Sequence, residues 1–435
     1  MTSDARLTRV TRAGTDERER AAHLVRRAGF GATAGEIERV LEQGYAATVE
    51  RLIARSDPGA DAVPAPGLTR PPAPLAPDRR ELETDAVVKW WLRRMVCSTN
   101  PLREKLTWLW HGWFPTAAAR VVWPVTLLDQ NVMLRDLATA RFETLTQAVT
   151  LDLAMLTCAG GLGSAADAPD ERYARVLLER FALGPGRSTE RDVRDAARAL
   201  TGWVLDRRSG QVRFDASRFD NGTKTVLGRS GPLHAADVVR AAASHPACAP
   251  YVASRIWSEL AYPIEPTDRL AQELGARFAE SELEIASLVR DVFMHPLFDA
   301  PHARAALVKS PLEWVVSAHR ALSIPVSDTT VRALDTLGQV PFRPPSIAGW
   351  PSRRDWLRAW PADARLRVAT RLLRDADVAW LAEVVPTRRP AVLANALGLP
   401  GWSTRSERAL HAAASAPDTR RVVAVALASP EFLLG

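Results

Sequence analysis

Residues 100–114 read Asn100-Pro101-Leu102-Arg103-Glu104-Lys105-Leu106-Thr107-Trp108-Leu109-Trp110-His111-Gly112-Trp113-Phe114. Asn followed by Pro marks a helix start: a side chain that can accept from first-turn N–H groups, then a residue with fixed φ and no N–H to satisfy. Leu102, Leu106, Leu109, Trp110 and Trp113 then recur at helical spacing and predict an apolar stripe over 102–114. Glu104 and His111 stand about two turns apart and share the face opposite Trp110.

Working outward, the same period predicts helices over 16–28, over 34–54 with a break at Gly44, and over 79–98 with Val87, Val88, Trp91 and Met95 on the apolar side. Between them, Ser56 to Pro77 holds seven prolines and few large apolar residues. Proline removes a donor and blocks helix, so this stretch is an extended strap. Downstream, helices are expected over 121–137, 142–158 and 171–183. Another begins after Ser188-Thr189, with Glu190 and Asp192 in its first turn, and runs to about Trp203. The only strand territory is 204–206, 212–214 and 225–227, punctuated by Gly210, Asn221-Gly222 and Gly228. Helices follow at 235–243, 246–260, 268–280, 283–294, 303–322 and 328–338. The proline-rich stretch Pro341 to Pro351 is a rigid loop, and further helices over 361–428 finish the chain. The expected fold is mainly α: a large multi-helix domain (79–435) with a small β-hairpin insertion at about 204–228. An N-terminal helical segment (1–56) joins it through a Pro-rich linker (57–78).

The 435 residues are 47% hydrophobic and 25% charged, which excludes a disordered chain. Apolar runs fall far short of the ~18–20 residues that cross a bilayer. No export signal is visible at the N-terminus and the three cysteines lie far apart, so the expected compartment is a reducing cytoplasm. Net charge is +7, from 57 Lys+Arg against 50 Asp+Glu, but the basic residues are dispersed, which argues against nucleic acid as partner. Only four of the 57 are lysines: Lys89, Lys105, Lys224 and Lys309. In so Arg-rich a chain, a retained lysine is expected where an ammonium fits and a planar guanidinium does not. The fourteen tryptophans, as in Trp90/Trp91 and Trp108/Trp110/Trp113, read as core.

Several segments together resemble a bacterial family catalogued as domain of unknown function 1800 (DUF1800). They are His23 through Gly31 (His-Leu-Val-Arg-Arg-Ala-Gly-Phe-Gly), Pro101 through Phe114, Asp152 through Leu156, Glu171 through Gly184, Asp192 through Trp203, Phe219 through Gly228, Pro344 through Pro351 (Pro-Pro-Ser-Ile-Ala-Gly-Trp-Pro), and Ser429 through Phe432. They occur in the family's order and span nearly the whole chain. The resemblance implies a helical protein without an established activity. Members are often exported and often encoded beside sulfatase-like proteins of the alkaline-phosphatase superfamily, which suggests a protein partner of that class.

The chain departs from the family pattern at three telling positions. Family members read Trp-His-x-His-Phe where Trp110 to Phe114 stand, so the second histidine is Trp113 here. They read Asn-Glu-Asn-x-Ala-Arg-Glu at Asp170 to Val176, so the last Glu is Val176. They read His-Asp where Phe219-Asp220 stands. Three ligand or acid–base positions are thus apolar.

What remains is a candidate polar centre of Glu104, His111, Glu171, Arg175, Glu179, Asp220 and Lys224. A divalent metal needs several convergent oxygen or imidazole ligands, and His111, Glu171 and Asp220 would supply them if their segments converge. Glu171, Arg175 and Glu179, at i, i+4 and i+8, read equally as an ion-pair ladder. Asp220-Asn221-Gly222-Thr223-Lys224 is a tight turn whose Lys224 either anchors an anion or pairs with Asp220. No Gly-x-Ser-x-Gly, His-Glu-x-x-His or Gly-x-Gly-x-x-Gly occurs. The leading expectation is a non-catalytic binding or scaffold protein that lost part of the family's polar centre. The alternative is a metal-assisted enzyme, a hydrolase or oxidoreductase, using the residual centre with Lys224 as anion anchor.

Overall fold

The computed structural model describes residues 3–434 except 72, 207, 352–354 and 357–361. It is mainly helical, with two small antiparallel two-stranded sheets. No described helix is long and apolar enough to cross a membrane.

The helix Leu102–Trp113 organises the molecule. Its apolar stripe (Leu102, Leu106, Trp110 and Trp113) enters one core, which it shares with residues of 21–53 and 134–298. Trp108, on the other side, enters a second core built from residues of 87–128 and 308–433 together with Phe30, Ala154 and Cys158. Nine of its twelve residues are buried, so the helix is a partition between two apolar layers rather than a surface element. Fully burying each large apolar side chain contributes roughly 1.5–3 kcal/mol.

The helix start differs from the expectation. Asn100 does not cap its own helix. Its Nδ2 donates to the carbonyls of Arg51, Ala54 and Ser56, and so satisfies backbone left open where the helix Tyr45–Ile53 ends. Asp57 then ties the same corner down, accepting from the N–H groups of Thr99 (2.9 Å) and Asn100 (3.2 Å). The strap contains one unexpected helical turn, Pro58–Asp61, and is held further on by Arg70 to the Gly210 carbonyl and Trp123 Nε1 to the Pro71 carbonyl.

Further expectations change in detail. The helix expected over 142–158 is two, Phe142–Thr150 and Leu153–Ala159, because the Asp152 side chain accepts from Met155 N and starts a new one. The helix expected over 171–183 opens as α, Glu171–Arg175, and widens into a π-helical stretch, Val176–Ala182. Among the described residues there are four strands, β1 (Trp203–Asp206), β2 (Gln211–Phe214), β3 (Lys224–Val226) and the unexpected β4 (Arg229–Gly231), paired β1 with β2 and β3 with β4. The helices from 235 onward fall within a few residues of expectation, except that 303–322 shortens to Pro311–Leu322 and, within 361–428, Ala379–Glu383 is a 3₁₀ turn. The expected start at 361 lies outside the described residues.

Candidate functional site

The residues of the expected polar centre occupy three separate places. Glu104 is fully buried. It accepts from Trp91 Nε1 (2.9 Å), from Arg94 Nε (2.9 Å), and from Arg135 through Nε (2.7 Å) and Nη2 (3.0 Å). Burial alone would raise its pKa; Arg135 and Arg94 outweigh this and hold it below the usual carboxylate range. All its lone pairs face protein donors, so it is a structural anion.

His111 lies on the same side of the helix, one indole away: the Trp91 ring stands 5.2 Å from it, nearly perpendicular. Trp108, Phe342 and Trp350 enclose the rest. Nε2 accepts the N–H of Phe342 at 3.0 Å, so the ring is neutral with its proton on Nδ1. Burial lowers its pKa to about 3.

Glu171, Arg175 and Glu179 form the ladder on a helix surface, joined by Glu190 from the next helix at 2.7 Å. Arg175 is the shared partner, and such exposed pairs are screened by solvent and salt. Asp220 is clamped bidentately by Arg198 (2.7 and 3.1 Å), whose hydrogen bonds hold the carboxyl below its usual pKa range. Lys224 is buried, 3.9 Å from Asp220 Oδ1 and hydrogen-bonded to the Gly222 carbonyl. Asp192 and Asp195, one turn apart, accept from the N–H groups of Leu227 (2.7 Å) and Thr225 (2.8 Å) and fasten the β3 segment to the helix.

His111, Glu171 and Asp220 therefore do not converge, and no group of three or more His, Cys, Asp or Glu that could hold a metal exists among the described residues. The physical reason is that each is already committed: His111 to a backbone N–H, Glu171 to Arg175, Asp220 to Arg198. The three apolar replacements each fill space of their own. Trp113 carries the Arg255 guanidinium over its ring at 3.6 Å, Phe219 stacks on His234 at 4.3 Å, and Val176 packs against the first core.

A different place draws the motif segments together. A cavity of about 170 Å³ is lined by Lys105, Trp108 and Trp113 from the 101–114 segment, by Arg180 from 171–184, and by Trp350 from 344–351. Arg255 completes it. A small cavity beside it shares Lys105 with Arg26 and Arg27 of the 23–31 segment, and with Glu313 and Lys309. Lys105 and Glu313 form a buried ion pair, and Lys309 donates to the carbonyl of Phe432, in the closing segment, at 2.6 Å.

Sequence reasoning pointed to the lysines but not to this chamber. Lys105, Lys224 and Lys309 are all buried, each over an aromatic ring, while Lys89 makes a partly exposed pair with Asp328. Arg180 and Arg255 carried no local signal. The π-helical turn positions them. The stretch ends at Ala182, so the carbonyls of Arg180 and Phe181 lie in its last turn, without intrahelical partners. Tyr251 Oη (2.7 Å) and Arg255 Nη1 (3.0 Å) donate to the Arg180 carbonyl, and Trp113 Nε1 (3.0 Å) donates to that of Phe181.

The loop that roofs the chamber is pinned from several sides. Phe342 receives His111 at its N–H and gives its carbonyl to Ala118 N at 2.7 Å. Arg343 pairs with Glu81 (2.6 Å) and Asp85 (2.8 Å). Gly349 adopts φ +77°, and a Cβ there would come within 3.2 Å of the Gly112 carbonyl, so glycine lets the loop lie against the partition helix.

No match was found among curated proteins or among solved structures. A family model described as "Protein of unknown function (DUF1800)" matches residues 23–434, nearly the whole chain, and the segments that surround the chamber all fall within that match: the chain belongs to this family.

Proposed function

We propose that the chain is a non-catalytic binding protein whose ligand site is the aromatic, cationic chamber under the Pro344–Pro351 loop. One observation carries this reading. Five of the motif segments meet around the chamber and its small neighbour, while the acid–base groups elsewhere serve internal bonds. Indole rings and guanidinium groups bind and orient; they are poor proton-transfer groups at neutral pH. The metal-assisted alternative has no specific observation in its favour, because His111, Glu171 and Asp220 are separately committed.

Elemental mass spectrometry of the purified chain, beside His111→Ala and Asp220→Ala, tests the choice. The binding reading expects metal below about a tenth of stoichiometric in all three. Near-stoichiometric metal that disappears in His111→Ala would overturn it in favour of the enzyme.

A further inference from the structure

Arg180 and Arg255 come from different helices and line the same cavity. Among the described residues, neither meets a carboxylate. Arg180 Nη2 donates to the Ala348 carbonyl, and its Nε is buried without an acceptor. Arg255 Nη1 donates to the Arg180 carbonyl and to Tyr251 Oη (3.3 Å), with its plane over Trp113. Glu259, one turn beyond Arg255, also lines the cavity. On the roof, Trp350 Nε1 is another buried donor without an acceptor. Burial, and then the charge of Arg255, holds Arg180 below the usual guanidinium range.

Among the described residues, the chamber thus brings together two guanidinium groups that meet no carboxylate, and unmatched N–H donors on separate elements. Buried donors without acceptors are costly, and like charges at close quarters repel. An acceptor-rich anion relieves both at once, and guanidinium forks match oxyanions in shape. Donors line the chamber from the π-helical turn, from the helix Cys248–Leu260 and from the roof loop; a carboxylate presents its acceptors in one plane, whereas a tetrahedral oxyanion presents them on all sides. Size narrows the class. At ~30 Å³ per water in the liquid, the cavity has room for about six waters. It is smaller than the ~300 Å³ at which pockets for larger organic ligands begin.

The geometry points to a binding site for a small tetrahedral oxyanion, phosphate or sulfate, held between Arg180 and Arg255 beneath the Trp350 indole. The inference rests on the binding reading for the location of the site and goes beyond it in naming the ligand.

Isothermal titration and tryptophan fluorescence, with sodium phosphate, sulfate and acetate at an ionic strength fixed by sodium chloride, test it. The expected result is saturable binding of phosphate or sulfate with Kd below about 1 mM, weakened at least tenfold in Arg255→Met and Arg180→Met. Preference between the two oxyanions identifies the natural one. Should Arg180→Met fail to fold, Arg180→Lys keeps the charge without the fork and must still weaken binding severalfold. No heat or quench beyond that of chloride overturns the site. Binding that persists unchanged in the variants means an adventitious ion only, and also overturns it. Acetate binding as tightly, with the same arginine dependence, overturns the tetrahedral class while leaving the binding reading intact. That reading fails separately, by metal content.

Discussion

His111 Nε2 accepts the N–H of Phe342 at 3.0 Å, and Phe342 holds φ at +63°, where a bulky side chain is strained. The histidine is therefore the clamp that keeps the chamber's roof in an unfavourable backbone conformation. His111→Leu leaves the N–H buried without an acceptor, at a cost of about 1–3 kcal/mol. The expected result is a lower Tm and faster chymotryptic cleavage after Phe342. An unchanged Tm and cleavage rate would show that the roof does not depend on this bond.

Glu104 supports the same helix from inside. Removing one partner from a buried, hydrogen-bonded charge network leaves the others uncompensated, at a cost of about 3–5 kcal/mol. Glu104→Ala leaves Arg94, Arg135 and the Trp91 indole without their shared acceptor. Urea denaturation should show a loss of that order. A loss under about 1 kcal/mol would mean that the arginines find other acceptors.

These two residues mark where sequence reading stops. Helical period placed Glu104 and His111 on one face, and the structure agrees; it could not say that Trp91 stands between them, because that contact joins two helices. The partition helix, its stripe and the β insertion follow from local pattern. Asn100 misled because its residue type fits a cap, while its actual acceptors lie in a segment about fifty residues earlier. The π-helical stretch has no residue signature, so Arg180 and Arg255 went unremarked, although Lys105 beside them was noticed for its rarity. The polar centre dispersed because shared helix faces determine direction, not distance.

The surface ladder offers a contrast with Glu104. Glu171 and Glu179 are 43% and 30% exposed and share Arg175 with Glu190. Exposed pairs of this kind contribute little. Glu171→Ala with Glu179→Ala should leave Tm within experimental error. A drop of several degrees would reveal a role beyond the ladder.

Lys309 makes stability depend on alkaline pH. Burial, then the charge of Arg26, lowers its pKa to about 7, from an ordinary value of 10.5. Between these values the unfolded chain holds a proton that the folded chain has released, so stability rises with pH from about 7 to 10. Lys309→Met removes this slope, leaving a flatter urea midpoint over the range. A midpoint equally steep in the variant would assign the slope to another group.

Acid acts through three buried histidines. Burial comes first in each case and lowers His23 to about 2, His111 to about 3 and His319 to about 4. Below their ordinary value of 6.5, the unfolded chain takes up protons that the folded chain refuses. Each histidine therefore contributes stability that is full above 6.5 and falls by about 1.4 kcal/mol per pH unit as pH drops toward the folded value. One carboxyl opposes them. Burial raises Asp152 to about 7, although it accepts from Met155 N at 2.8 Å and Gln130 Nε2 at 2.7 Å. Its folded form keeps a proton that the unfolded form loses above 3.8, so acidification between 7 and 4 stabilises through this group alone. Three against one sets the sign: stability falls from pH 6.5 to pH 4. Asp152→Asn keeps an acceptor at the helix start and deletes the opposing contribution, so its urea midpoint should fall more steeply with acid than that of the parent chain. A parallel or shallower fall would show that Asp152 is ionised in the folded protein across this range.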